Sequence, residues 1–357
     1  MANSLEINNA SKEKIMTTAR PYIVTPDTAP NFWQIRNLWR VMATGIQTGG
    51  SFCALDQLVT TDGGGPSTHT HTQDEGLYVV SGHCTYNAAR QVISSESGSF
   101  VAIPRHTEHS FVVDAPGTQL LNFYLPAGFE MIIISVSVPA ERNDLPPPDA
   151  NVPLPPRRLV EQLNRDYGVT EVLGRQFADP PRENNMVTKP TPGARVFPFR
   201  SDVATSPSYW HANGLFTVLA DGPSTDNSYC LLEQLLPKGP AAPPHLHEWA
   251  DEVFYILDGE AEFLLGDRID TAGKNALVFI PKGTVHAFHI NSESARLLNL
   301  YTPAGFERSV AMLGELTQSR NLPPPGWTQP EVPDDQRARL FADIGMRPIA
   351  IPDPFRS

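Results

Sequence analysis

Short apolar runs cut by glycine and proline set the rhythm of this chain. SFVAIP (residues 99–104), SFVVD (110–114) and LLNFYL (120–125) are apolar or alternating, and so are ALVFIP (276–281), AFHI (287–290) and LLNLYT (297–302). Runs this short, rich in Val, Ile and Phe, read as β-strands. Many at close spacing predict an all-β sandwich or barrel. Two segments read instead as helices. RRLVEQLNRDYG (157–168) and DDQRARLFADIG (334–345) each end at a glycine, a common helix stop.

The strands come in two matching sets. LLNFYLPAGFE begins at Leu120 and LLNLYTPAGFE at Leu297, 177 residues later. The same offset relates LPPP at Leu145 and Leu322, and LWRVMATG at Leu38 and LFTVLADG at Leu215. A period this long marks a duplicated domain, not a solenoid unit. ADPPRENNMVTKPTPGAR (178–195) is polar and proline-rich, as a linker would be. The expected division is a tail at 1–19, an N-terminal domain at 20–177, a linker at 178–195 and a C-terminal domain at 196–357.

Composition narrows the function classes. With 39 acidic against 27 basic residues the net charge is −12, the wrong sign for nucleic acid or an anionic membrane surface. The 35 prolines in 357 residues favour short strands and rigid loops. Cys53, Cys84 and Cys230 are odd in number and far apart, so buried apolar roles in a reducing compartment are expected. The first residues are polar and no stretch is long and apolar enough to span a bilayer, so the expected setting is cytoplasmic.

The chemistry lies in the histidines. His69 and His71 are one residue apart, and on a strand such side chains share a face. Glu75 follows, then His109 on what should be a neighbouring strand. His245, His247, Glu252 and His286 repeat the set in the second half. Glu to Gly (Gly82, Gly259) is seven residues in both halves, and Pro to His (Pro104, Pro281) is five in both. Six of the ten histidines fall in these sets. Three imidazoles and a carboxylate suit a divalent transition metal (Fe, Cu, Mn, Co or Ni), and the cysteines of structural zinc sites are absent from the pattern. For His83, His106, His211 and His289 the expected role is structural or at the solvent. Alternation places Leu77 and Val79 inward with Glu75, and Phe111 inward with His109, as walls of an apolar cup.

HTHTQDEGLYVVSG with GSFVAIPRHTEH, and HLHEWADEVFYILDG with GKNALVFIPKGTVH, resemble the paired motifs of the cupin superfamily. The resemblance covers nearly the whole chain from about Arg20 and implies a bicupin: two tandem jelly-roll β-barrels, each holding a metal. In architecture the chain is similar to bicupins of the quercetin 2,3-dioxygenase type. That likeness implies metal ligands at His69, His71, Glu75 and His109, and a second site at His245, His247, Glu252 and His286. It places catalysis in the N-terminal domain, as cleavage of a flavonol or related hydroxylated aromatic by O2, with Glu75 as the base. An apolar cup is expected to raise the proton affinity of Glu75.

Three departures stand out. His71 and Glu75 are separated by three residues where His247 and Glu252 are separated by four, so Glu75 is expected to sit differently. The glycine kept at Gly283 is His106 in the first half, and the closing Asn of the motif is replaced by Val113 and Ile290. Redox-neutral bicupin chemistry (a decarboxylase, isomerase or cyclase) is the alternative, although a decarboxylase of a small dianion should offer an arginine near the metal. A non-enzymatic storage bicupin is disfavoured because both ligand sets are complete. Some bicupins pair through their sheets, which leaves a homodimer open.

Overall fold

The structure, a computed structural model, describes residues 19–61, 65–172 and 196–355. The tail at 1–18 and the linker at 178–195 lie outside the described residues.

The first half is two antiparallel sheets. One runs in the order Val138–Pro139, Asn31–Gln34, Asn37–Ala43, Cys53–Val59, Thr118–Leu125, Asp74–Ser81, Ser99–Ile103 and Phe199–Asp202. The other runs Thr170–Glu171, His69–Thr70, His109–Val113, His83–Ala88 and Gln91–Glu96. Alternation sends one face of each into a shared core, where Leu77, Val79 and Leu120 meet Tyr86, Ile93 and Phe111. The ladders do not close into one ring, so the half is a double-sheet jelly roll.

In the second half Cys230–His247 and His286–Thr302 run unbroken through both layers, which joins eleven strands into one ladder. Register slips at Pro237/Gly239 and Pro240/Ala242 interrupt the pairing and bend these long strands from one layer to the other. The two expected helices are present as Arg157–Asp166 and Asp334–Ile344, the second closed by Gly345 at φ 68°. Two further helices, Phe129–Val136 and Glu307–Leu313, were not expected from the pattern. They follow the repeated PAGFE string, whose buried glutamate accepts two backbone N–H groups. Glu130 takes those of Gly45 and Gly128 at 2.7 Å, and Glu307 those of Gly222 and Gly305 at 3.0 and 2.8 Å.

The halves exchange strands. Tyr22–Val24 pairs with Leu277–Ile280 of the second half, and Phe199–Asp202 pairs with Ser99–Ile103 of the first. A division at 20 and 196 therefore separates the halves in sequence but leaves one edge strand of each in the other's sheet. Between them Tyr78, Phe100 and Phe123 pack against Leu231, Tyr255 and Phe279 in one apolar cluster. Polar pins obey the same 177-residue offset. Tyr78 donates to Glu233 at 2.5 Å, and Tyr255 donates to Asp56 at 3.0 Å. Arg296 and Arg40, which the offset does not relate, accompany them at 2.7 Å from Glu233 and 3.3 Å from Asp56. A hydrogen bond to a buried carboxylate contributes about 1.5–3 kcal/mol. Tyr255→Phe should therefore lower the unfolding free energy measured in urea by about that amount and leave metal content unchanged; an unaltered unfolding free energy would show that Asp56 is satisfied without it. Among the described residues no helix is long and apolar enough to cross a membrane.

Candidate metal centres

Strand pairing builds each centre. His69 lies directly opposite His109, and His245 directly opposite His286, so each pair of rings meets across a ladder, with centroids 4.2 and 4.1 Å apart. His71 and His247 complete the trios at 4.8 and 5.5 Å from His109 and His286. Glu75 and Glu252 come from the facing strands Asp74–Ser81 and Asp251–Asp258. All eight side chains are buried. The second motif is tied to the first by one backbone bond: the N–H of His106 reaches the His71 carbonyl at 2.7 Å, and that of Gly283 reaches the His247 carbonyl at 2.7 Å. His106 thus keeps the glycine's turn, at φ 64° against 80°, and bears a left-handed backbone costing roughly 1–2 kcal/mol.

The imidazoles are oriented as metal ligands are. The Nδ1 of His69, His71 and His109 lies 2.8 Å from the carbonyls of Ser67, Gln73 and Thr107. His245 and His286 do the same with Pro243 and Thr284 at 2.8 and 3.0 Å. A carbonyl only accepts, so each Nδ1 carries a proton and Nε2 is the nitrogen each ring can offer a metal. Those nitrogens face carboxylate oxygens. Glu75 Oε2 is 3.2 Å from His71 Nε2 and 3.1 Å from His109 Nε2, and Glu252 Oε2 is 2.8 Å from His286 Nε2. The Nε2 atoms of His109, His247 and His286 and Glu252 Oε2 are buried without a hydrogen-bond partner despite these approaches. Converging lone pairs repel unless a cation lies among them, so both donor sets fit one bound metal each.

The two centres differ as the spacing led us to expect. Ligand atoms of His245, His247, Glu252 and His286 lie within 4.8 Å of one another, whereas in the first half that distance gathers only His69, His71 and His109. Glu75 lies against His71 and His109 and falls outside that distance only from His69.

The expected rise in Glu75's proton affinity is corrected by its neighbours. Burial pushes the carboxyl up, but in the metal-free site protons on the Nε2 atoms of His109 and His71, whose place a metal would take, outweigh it and hold Glu75 below the usual carboxylate range. Glu252 is held down likewise by His286 and His247 against burial. Burial lowers His69 and His245 to about 3, helped by the neighbouring imidazoles, so both rings are neutral at ordinary pH.

A cavity of about 210 Å³ opens over the first centre, lined by His69, Glu75 and His109 at one end and by Trp39, Phe111, Tyr124, Phe129, Ile132 and Ile133. Of the three expected wall residues, only Phe111 lines it. Leu77 and Val79 point inward as alternation requires, but they lie farther along the strand and are spent in the core with Tyr86. The second cavity, about 260 Å³, holds His245, Glu252, Phe254, Phe288, Tyr301 and Phe306. No Lys or Arg lines either cavity among the described residues.

The walls that sequence reasoning missed sit in its longest repeat. Tyr124 and Phe129 stack at 4.1 Å beside His71, and Tyr301 and Phe306 stack at 4.3 Å beside His247. Both pairs belong to the strings FYLPAGF and LYTPAGF, whose recurrence was evidence enough to seek a role beyond duplication. His83 is held by Asp114 and Ser94, a structural role as expected. His211 instead lines the second cavity.

Comparison with known proteins agrees with this geometry. The cupin-domain family model matches residues 57–121 and again 231–301. Quercetin 2,3-dioxygenase of Bacillus subtilis (strain 168) is 22% identical over 323 residues, covering 85% of this chain and 88% of the relative. Among solved structures, oxalate decarboxylase of Bacillus subtilis superposes with a TM-score of 0.56 at 12% identity, over 80% of this chain and 78% of that one. Procruciferin, the 11S globulin of Brassica napus, gives 0.54 at 13% identity over 82% and 87%. At such identities these two structures speak for the fold alone.

Proposed function

This chain is a bicupin, two cupin domains in tandem, and from that premise we propose that it is a metal-dependent dioxygenase of hydroxylated aromatic compounds, acting at the N-terminal centre. The observation that carries the reading is the pairing of a trio of imidazole lone pairs with a carboxylate at the end of an apolar, aromatic-walled cavity that offers no cationic side chain. His69, His71 and His109 would hold the metal, with Glu75 beside them. When bound, such a metal supplies a Lewis acid for a phenolate or enolate oxygen and a redox partner for O2.

The chain's own residues do the rest. Glu75 is deprotonated and positioned to accept the hydroxyl proton of the substrate. The Trp39, Phe111 and Phe129 rings and Ile132 bind the substrate ring and exclude water. An apolar cavity of about 150 Å³ is known to take a benzene ring. A cavity of about 210 Å³ therefore takes the oxygen-bearing ring or ring pair, and the pendant ring of a flavonol would lie in the mouth.

Phe129→Ala should raise KM for the aromatic about tenfold with little change in kcat, because the wall binds ground and transition states alike; steady-state kinetics check the split. The reading itself is tested with isotopically heavy O2 and a panel of one- to three-ring phenols and flavonols. Two labelled oxygens in a ring-opened product are expected. Carbon dioxide released without oxygen uptake would favour the redox-neutral alternative, which the lack of a cationic wall residue counts against.

A further inference from the structure

His211 belongs to neither ligand set, yet it ends the strand Ser208–His211 and lines the C-terminal cavity. Its tautomer is set from outside. The Gln329 side-chain oxygen accepts the Ala212 N–H at 2.9 Å, and its nitrogen donates to the Leu313 carbonyl, so the carboxamide has one orientation. The same nitrogen sits 3.0 Å from His211 Nδ1, which must therefore accept. His211 is neutral with its proton on Nε2. Burial, which lowers its pKa to about 4, agrees. Gln329 is the ring's only polar partner among the described residues, and Nε2–H is left as a donor.

The same cavity carries the complementary group. Gln234 is 2% exposed; its Nε2 donates to Asn299 Oδ1 at 2.6 Å, while its Oε1 is buried with no partner. Asn299 in turn donates to Glu252 Oε1 at 3.1 Å, which fixes the direction of the chain of bonds and leaves the Gln234 oxygen as its open acceptor. Between these polar points the walls are Phe216, Phe254, Phe288 and Leu236.

We propose that the C-terminal cavity is a ligand site in its own right for a flat, neutral aromatic molecule that carries both a ring carbonyl, bound by His211 Nε2–H, and a hydroxyl, bound by Gln234 Oε1. The N-terminal cavity has Gln57 with the same open Oε1, so it reads a hydroxyl too. Gln34 stands there at the position of His211, 177 residues earlier, and lacks a donor fixed in this way. The two cavities therefore share a class of ligand and differ in how strictly they demand the carbonyl.

The test is anaerobic calorimetry on the metal-loaded chain, with 3-hydroxychromone and its carbonyl-free counterpart 3-chromanol as probes. Because no oxygen is present, failure of the oxygenase reading would leave this result untouched. Two 3-hydroxychromone molecules should bind per chain. His211→Phe should weaken one of the two sites about three- to tenfold, spare the other, and leave 3-chromanol binding unchanged. His211→Gln, which keeps a donor, should fall between, and two metals per chain would certify both variants as folded. Identical 3-hydroxychromone isotherms for wild type and both variants would overturn the proposal; a single site per chain that His211→Phe weakens would sustain it and count against the N-terminal reading alone.

Discussion

Glu75→Gln should lower kcat by about two to four orders of magnitude while the N-terminal centre keeps its metal, since that is the range a positioned proton acceptor contributes. The substitution is nearly isosteric, so the cavity wall is preserved. The loss would be specific to the carboxylate, because glutamine cannot take up the substrate proton. Retention of metal follows from the arrangement: three imidazoles converge within 4.8 Å without Glu75, whereas Glu252 is an integral member of its own set. Glu252→Gln should accordingly weaken metal binding at the second centre and Glu75→Gln should not. Metal analysis beside steady-state kinetics separates the outcomes. Glu75→Gln protein that has lost the first metal would make Glu75 a ligand before a base, and one that turns over at nearly the wild-type rate would remove the base from the account.

His109→Ala should abolish turnover and reduce bound metal from two to one per chain. His109 faces His69 at 4.2 Å and His71 at 4.8 Å, and its Nε2 is an unpartnered lone pair at the meeting point of the site. Two imidazoles cannot supply the ligand count of a stable centre, and the neighbouring carboxylate would be left buried beside neutral rings. The matching change in the other half, His286→Ala, should also remove one metal but leave most of the turnover. Equal loss of activity in both variants would spread catalysis over both domains; loss only with His286→Ala would move it to the second.

Much of this site was legible because strand geometry is simple. The period of two places His69 and His71 on one face, and the duplication supplies an internal control that a single H-x-H lacks. Glu75 nevertheless keeps the register of Glu252, opposite Ile103 and Tyr124 as Glu252 is opposite Ile280 and Tyr301, so the missing residue is absorbed between His71 and the strand. The walls were harder. Alternation identifies which side chains point inward but not how deep along the strand the cavity ends, so Leu77 and Val79 were read as lining when they are core. Phe129 lies on a helix that no periodicity announced, because FEMIIISV is apolar apart from Glu130 and Ser135 and reads equally well as a strand. Its placement depends on buried Glu130 gripping the distant N–H of Gly45 besides the local one of Gly128, a tertiary contact. The strand exchange between halves is likewise silent in sequence, since YIV and FRSD carry no mark of the sheet they join. The proton affinity of Glu75 was misjudged for a related reason: burial was foreseen, but the opposing pull of His109 and His71 depends on distances of 3.1 and 3.2 Å.

The most direct test is to titrate metal-loaded protein with quercetin and with smaller hydroxylated aromatics in the absence of oxygen, and then to admit oxygen while following the ligand absorbance band and oxygen uptake. The account predicts a band shift on binding, stoichiometric bleaching and oxygen consumption when oxygen enters, and a shift without bleaching in His109→Ala protein that retains its second metal. Two-metal protein that binds none of these compounds, or binds them and consumes no oxygen, would contradict it.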